Sequence, residues 1–210
     1  MAQIGLRYLI CAPITESNND VTYSNGMVMS YAIKTDLSIE INDAQLYGDD
    51  RIVESIKEFK SGKLTLNGDH IDYDVLALIL GHKVETISPG NGRKLTAKGD
   101  DDGKPVGIGF YSTTIKDGKR RYRAIWLRKV KFGIPNESLE TKGDGINFQT
   151  PTIEGTISTD ILGIWKEEAT FEQEIQARAW LNEQADIDEN SAGIGGLSGS
   201  IAGLGVNDDE

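Results

Sequence analysis

Along most of the chain, apolar and polar positions alternate with the two-residue period of a β-strand. Leu6–Cys11 is a short apolar run with a proline close behind it. Met27–Ile41 is rich in β-branched and aromatic residues. Its second half sends Leu37, Ile39 and Ile41 to one side and Ser38 and Glu40 to the other. Glu58–Asn67 alternates in the same way, with Leu64 and Leu66 sharing a face. Val106–Ser112 and Arg121–Phe132 flank Asp117-Gly118, a hairpin signal because both turn positions tolerate positive φ. Lys142–Gly145 predicts a turn ahead of Gly145–Thr159, which reads as a strand pair or one long bent strand.

Two segments break this period. Tyr73–Leu80 predicts a short helix packed on a sheet, with Asp72 as its cap and Gly81 at its C-terminus. A second helix is predicted over about 170–184, with Phe171, Ile175, Ala179 and Asn182 as its stripe. Thr170 is its expected N-cap, and Gln173 completes a capping box. Glu172 and Glu174 suit the positive end of the helix dipole, and Glu174–Arg178 is an i,i+4 pair. After Asp186 the chain becomes Gly/Ser-rich with isolated aliphatic residues, a composition that buries little and predicts a flexible acidic tail.

Composition narrows the class. The 210 residues suffice for one domain with a sizeable core, and 24 glycines against 5 prolines suit a turn-rich β protein. No apolar run reaches the length of a membrane-spanning helix. The first residues lack the charged front and small-residue cleavage site of a secretory leader. The net charge is −11, but residues 167–210 hold eleven acids and one base, so the preceding body is nearly neutral. Excess acid argues against gripping nucleic acid, whose phosphates need Lys and Arg.

Candidate chemistry is sparse. Gly48-Asp49-Asp50 and Gly99–Gly103 cluster carboxylates, but a calcium loop built on Gly103 would place Lys98 at its first ligand position. Solvated hairpin tips are expected instead. Asp69, His70, Asp72 and Asp74 crowd together, and His82 follows the first helix, where a cation suits the dipole. Structural roles are expected for both histidines. Cys11, the single cysteine, excludes an intramolecular disulfide and reads as a buried small hydrophobe. Gly193–Gly199 mimics a dinucleotide loop, but Ser198 stands where the last glycine belongs. Between Lys116 and Lys131 lie eight basic residues interleaved with Tyr122 and Trp126. That pattern fits a nucleic-acid-binding strand, a charge-protected edge strand or a surface facing acids. No catalytic, cofactor-binding or metal-binding residue is assigned.

Several segments, in order, resemble one family. They are IGLRYLICAPIT (Ile4–Thr15), DAQLYGDDRIVES (Asp43–Ser55), KLTLNGDHIDYDVLALILGH (Lys63–His82), VGIGFYSTTIKDGKRRYRAIWLRKVKF (Val106–Phe132), TKGDGINFQTPTIEGTI (Thr141–Ile157) and Ala179-Trp180-Leu181. Together they resemble the major tail (tail tube) proteins of long-tailed bacteriophages, the phi13-type family, over about residues 4–185.

The resemblance implies a mainly β fold, a β-sandwich or barrel with one packed α-helix and a C-terminal helix. Residues 1–186 would form the tube domain (core 1–166 plus the acidic helix), with 187–210 as a flexible acidic tail. It implies self-association into hexameric rings that stack into a hollow tube in the virion tail, assembled in the host cytoplasm. Tape measure, tail terminator and tip proteins would be partners, and DNA would pass through the lumen without tight binding. No enzymatic activity, cofactor or membrane is implied. Ser30–Ile41 and Glu58–Asn67 could supply the tube wall, apolar outward and polar toward the lumen. The intervening loop Asn42–Lys57 would be an inter-ring arm. The inner-tube protein of a contractile tail or secretion system, and an immunoglobulin-like decoration or adhesion module, are the alternatives.

Overall fold

The structure, a computed structural model, describes residues 2–48, 51–88, 90, 92–116, 118–135 and 150–188. The fold is mainly β. In chain order the elements are β1 (Ala2–Ser17), β2 (Asp20–Tyr23), β3 (Met27–Ser30), β4 (Ala32–Gly48), β5 (Arg51–Gly68), α1 (Tyr73–Leu80), β6 (Lys83–Ile87) and β7 (Gly92–Thr96). They continue with β8 (Val106–Lys116), β9 (Lys119–Phe132), β10 (Thr152–Ser158), β11 (Lys166–Phe171) and α2 (Glu174–Ala185).

One antiparallel sheet runs β2-β1-β8-β9-β10-β5-β4, with β3 on β1 and β11 on β9. The sheet branches along β9: β11 takes Tyr122–Leu127, and β10 takes Lys129–Phe132. β6 and β7 form a separate hairpin. The sheet curls until Leu6 of β1 and Thr35 of β4 line one cavity, yet β4 pairs only with β5 among the described residues. It is therefore curled but open, and no closed barrel forms within the described residues.

Alternation in β8 and β9 explains why both faces of the sheet are covered. Ile108, Phe110, Ile125 and Leu127 enter one core with Leu64, Leu66, Ile153, Ile157 and the buried face of α1, Val75, Ile79 and Leu80. Tyr111, Ala124 and Trp126 point the other way, against Ala177, Leu181 and Ala185 of α2. Trp126 fits because Gly107 and Gly109 lie under its ring: a Cβ on Gly109 would sit 2.8 Å from Trp126 Cε3. The Tyr23 ring meets Trp126 edge-on at 5.0 Å.

The hairpin at Gly118 (φ +74°) and helix α1 with its left-handed Gly81 cap (φ +76°) match the sequence pattern. Other expectations are corrected. Met27–Ile41 is two strands, interrupted at Tyr31, so that β3 can pair β1 while β4 pairs β5. Asp72 makes no side-chain cap; its carboxylate faces Arg93 instead. Thr170 is not an N-cap but part of β11, paired with Arg123, because β9 offers an open ladder there. The capping box forms on Gln173 and Gln176, and α2 starts at Glu174. The buried stripe of α2 is Ala177, Leu181, Asn182 and Ala185; Ile175 is 68% exposed. Glu174 turns to Arg7 and Tyr111 rather than to Arg178. The Lys142–Gly145 turn, Gly145–Gln149, Asp49-Asp50, Asp117 and Gly193–Gly199 lie outside the described residues, as does the tail beyond Asp188.

Candidate assembly surface

The segment Asn42–Lys57, expected as a loop, is instead the outer half of the β4–β5 hairpin. Its ladder runs without a covering layer from Asn42↔Glu58 to Gly48↔Arg51. At about 3.3 Å per residue this arm extends about 20 Å beyond the body. Directly opposed residues share a face. Asp43↔Lys57 and Gln45↔Ser55 make one face polar, with the Asp43–Lys57 ion pair at 3.4 Å. The other face is mixed: Ala44↔Ile56 and Leu46 sit among Asn42, Glu58, Glu54 and Arg51, and the tip pair Tyr47↔Ile52 adds apolar surface to the first face. Leu46 (60% exposed), Tyr47, Ile52, Val53 and Ile56 all lie open. A two-stranded ribbon is marginal alone, and the outer edge of β4 has no strand beside it among the described residues.

Behind the arm, β4, β5 and β10 present a polar face. Register aligns Asp36, Thr65 and Glu154, and next to them Ser38, Lys63 and Thr156, with Lys131 of β9 beyond. Leu64 and Leu66 point into the core from the opposite face, so the expected split of apolar and polar sides is observed. Cations on the polar face are matched by acids: Lys34–Asp36 at 2.5 Å, Lys63–Glu154 at 2.8 Å and Lys131–Asp102 at 2.6 Å. Lys60 likewise stands 3.5 Å from Glu40. The surface carries charge without a block of one sign.

The basic run on β9 is not an edge strand; β8 flanks it on one side and β10 and β11 on the other. Several of its cations meet acids of the same chain. Arg121 reaches Glu172 (3.1 Å), Arg123 reaches Glu168 (2.6 Å) and Lys129 reaches Glu16 (2.5 Å). Arg128 holds Asp160 and Glu167 at 2.8 and 2.9 Å. Arg123, and then Lys166, hold the Glu168 carboxyl below the usual carboxylate value. Glu167, Glu168 and Glu172, together with Glu16 and Asp160, thus answer part of this row in cis.

The remaining sequence candidates fall into structural positions. Asp101 is not at a hairpin tip: it accepts from the Lys98 backbone N–H at 2.7 Å and pairs with His82 Nδ1 at 3.0 Å. The Lys98 N–H, and then His82, lower its pKa. His82 is buried in this contact, whereas His70 is exposed and paired with Asp69. Asp72 and Asp74 both face Arg93. Among the described residues no group of three metal-ligating side chains converges. Cys11 is fully buried, and desolvation pushes its thiol up to about 12.

The sequence pattern does not reveal the bend of β1, where Gly5 (φ +72°) and Tyr8 (φ +59°) accompany two register shifts against β8. Tyr8 is a bulky residue in left-handed backbone, a strained state that needs support from its surroundings. Its hydroxyl donates to Asn182 Oδ1 at 2.5 Å, and Arg178 stacks 4.5 Å above its ring. No helix among the described residues is long and apolar enough to cross a membrane. In comparisons with known proteins, the chain matches no family model and no curated protein.

Proposed function

We propose that this chain is the structural subunit of a bacteriophage tail tube, assembling as hexameric rings that stack into a hollow conduit for genome delivery. The observation that carries the reading is the Asn42–Lys57 arm, whose Leu46, Tyr47, Ile52, Val53 and Ile56 have no cover among the described residues. In this reading a neighbouring copy covers the arm and the open edge of β4, which satisfies backbone groups that would otherwise recruit any passing strand. The polar face of β4, β5 and β10 turns to the lumen. Its matched cations leave few free positive charges to hold DNA phosphates, as passage requires. Tape measure, terminator and tip proteins are the partners this role entails, and no catalysis belongs to it.

Negative-stain microscopy of concentrated protein tests the reading. Rings or tubes are expected. Deleting Asp43–Glu54 is expected to leave a folded monomer that forms neither. Monomers alone at high concentration, or tubes formed without the arm, would overturn it.

A further inference from the structure

A second feature, distinct from the arm, lies in the body. Between the bend of β1, the β3–β4 junction and α2 is a cavity of about 420 Å³, lined by Arg178, Tyr8, Tyr111, Arg7, Val28 and Tyr31 among others. Its walls are aromatic and aliphatic, and its charged groups are mainly cationic. Arg178 makes no ion pair among the described residues and rests on the Tyr8 ring. The nearby Glu174 carboxylate is already engaged, by the Tyr111 hydroxyl and by Arg7. Such a pocket suits a short segment with aliphatic side chains followed by carboxylates.

The chain carries one such segment, Ile201–Glu210 (IAGLGVNDDE), in which Ile201, Leu204 and Val206 precede Asp208, Asp209 and Glu210. The route to the pocket is short. The chain leaves α2 at Asp186, whose Oδ2 accepts from the Asn25 backbone N–H. The Ile187 N–H donates to the Asn182 carbonyl at 2.9 Å. A Cβ on Gly26 would touch Ile187, so the last described residues lie against the start of β3. Val28, two residues further along, is already a wall of the pocket. By composition alone, a Gly/Ser-rich stretch as long as that between Ile187 and Ile201 has a reach of about 20 Å, ample to return over that distance. Asn182, which positions Tyr8, also accepts the Ile187 N–H, so the exit of the chain and the pocket wall share one residue.

We propose that Ile201–Glu210 docks into the Tyr8–Arg178 pocket of its own chain, with its terminal carboxylates on Arg178 and its aliphatic side chains against Val28 and Tyr31. The acidic terminus would thereby be held on the body.

Disulfide trapping in the full-length protein tests this. Tyr31 is 56% exposed and Cys11 is fully buried, so Tyr31→Cys with Val206→Cys supplies one accessible pair. Under mild oxidation, a cross-linked monomer is expected to form about tenfold faster than in the control pair Lys94→Cys with Val206→Cys. Adding Arg178→Glu should slow trapping to the control rate. Neutralising the segment itself (Asp208→Asn, Asp209→Asn, Glu210→Gln) should slow it too, with no change to the pocket. Equal rates for the two pairs, cross-linked dimers in place of monomers, or trapping indifferent to both charge changes would each overturn the proposal.

Discussion

Arg128 Nε donates to Asp160 Oδ2 at 2.8 Å, and the Asp160 side chain is wholly buried. The other carboxylate oxygen accepts the backbone N–H groups of Leu162 and Ile164, both at 2.9 Å. One carboxylate therefore shapes the turn between β10 and β11 and fastens it to the middle of β9. The Tyr23 hydroxyl donates to the Arg128 carbonyl at 2.8 Å, and burial pushes the Tyr23 phenol up to about 12.

Removing one member of such a pair leaves the other charge buried and uncompensated. Asp160→Ala should cost about 3–5 kcal/mol in a urea titration. Asp160→Asn keeps an acceptor for the Leu162 and Ile164 N–H groups and should cost less. Equal losses for the two variants would show that the charge, rather than the turn, sets the effect.

Gly109 faces Trp126 with no room for a methyl group. Gly109→Ala should destabilise by about 1–3 kcal/mol through overpacking and shift the tryptophan emission. An unchanged midpoint would mean that the ring moves aside freely.

Glu168 sets an acid limit. Its pKa is depressed by Arg123 and then Lys166, so its contribution is complete above the unfolded value near 4.5 and fades as pH falls through the lower folded value. Glu168→Gln should be less stable than the parent at about pH 7 and converge with it as pH falls below the lowered folded value. A constant gap between them across that range would contradict the linkage. The group is partly exposed, so the difference will be modest.

The exposed apolar residues of the arm can be altered without touching either core. Leu46→Asp with Ile56→Asp should leave the monomer's denaturation midpoint within about 0.5 kcal/mol, since both sites are exposed, while rings and tubes disappear. Tubes formed by the double variant would place the assembly contact elsewhere.

Cys11 supplies an internal probe. A thiol-reactive disulfide should label it only after unfolding, because its thiol is buried and its thiolate disfavoured. Rapid labelling of native protein would show that β1 opens.

How much of this was legible in the residues varied with the range of the interactions. Helix α1 and the β8–β9 hairpin were readable because their signals, Gly81 and Gly118, are local. The mainly β character followed from alternation. The end of β11 was misread because the choice between helix and strand at Thr170–Phe171 is settled by the open flank of β9, far away in sequence. The arm looked like a loop because its strands mix Asp43, Glu54 and Lys57 with aliphatics, as a ribbon solvated on both faces does. The pocket joins the bend of β1 to α2, some 170 residues later, and no local pattern encodes that meeting.

The cis pairing of the β9 cations also sets an order of construction. β9 leaves the ribosome well before β11 and α2, which bring Glu167, Glu168 and Glu172 to it and cover Trp126. A nascent chain that stops short of Phe171 therefore carries a sticky, cationic, half-covered sheet beside a finished β4–β5 arm. Completing translation before subunits meet, or shielding the unfinished product, becomes a requirement of making this protein in quantity.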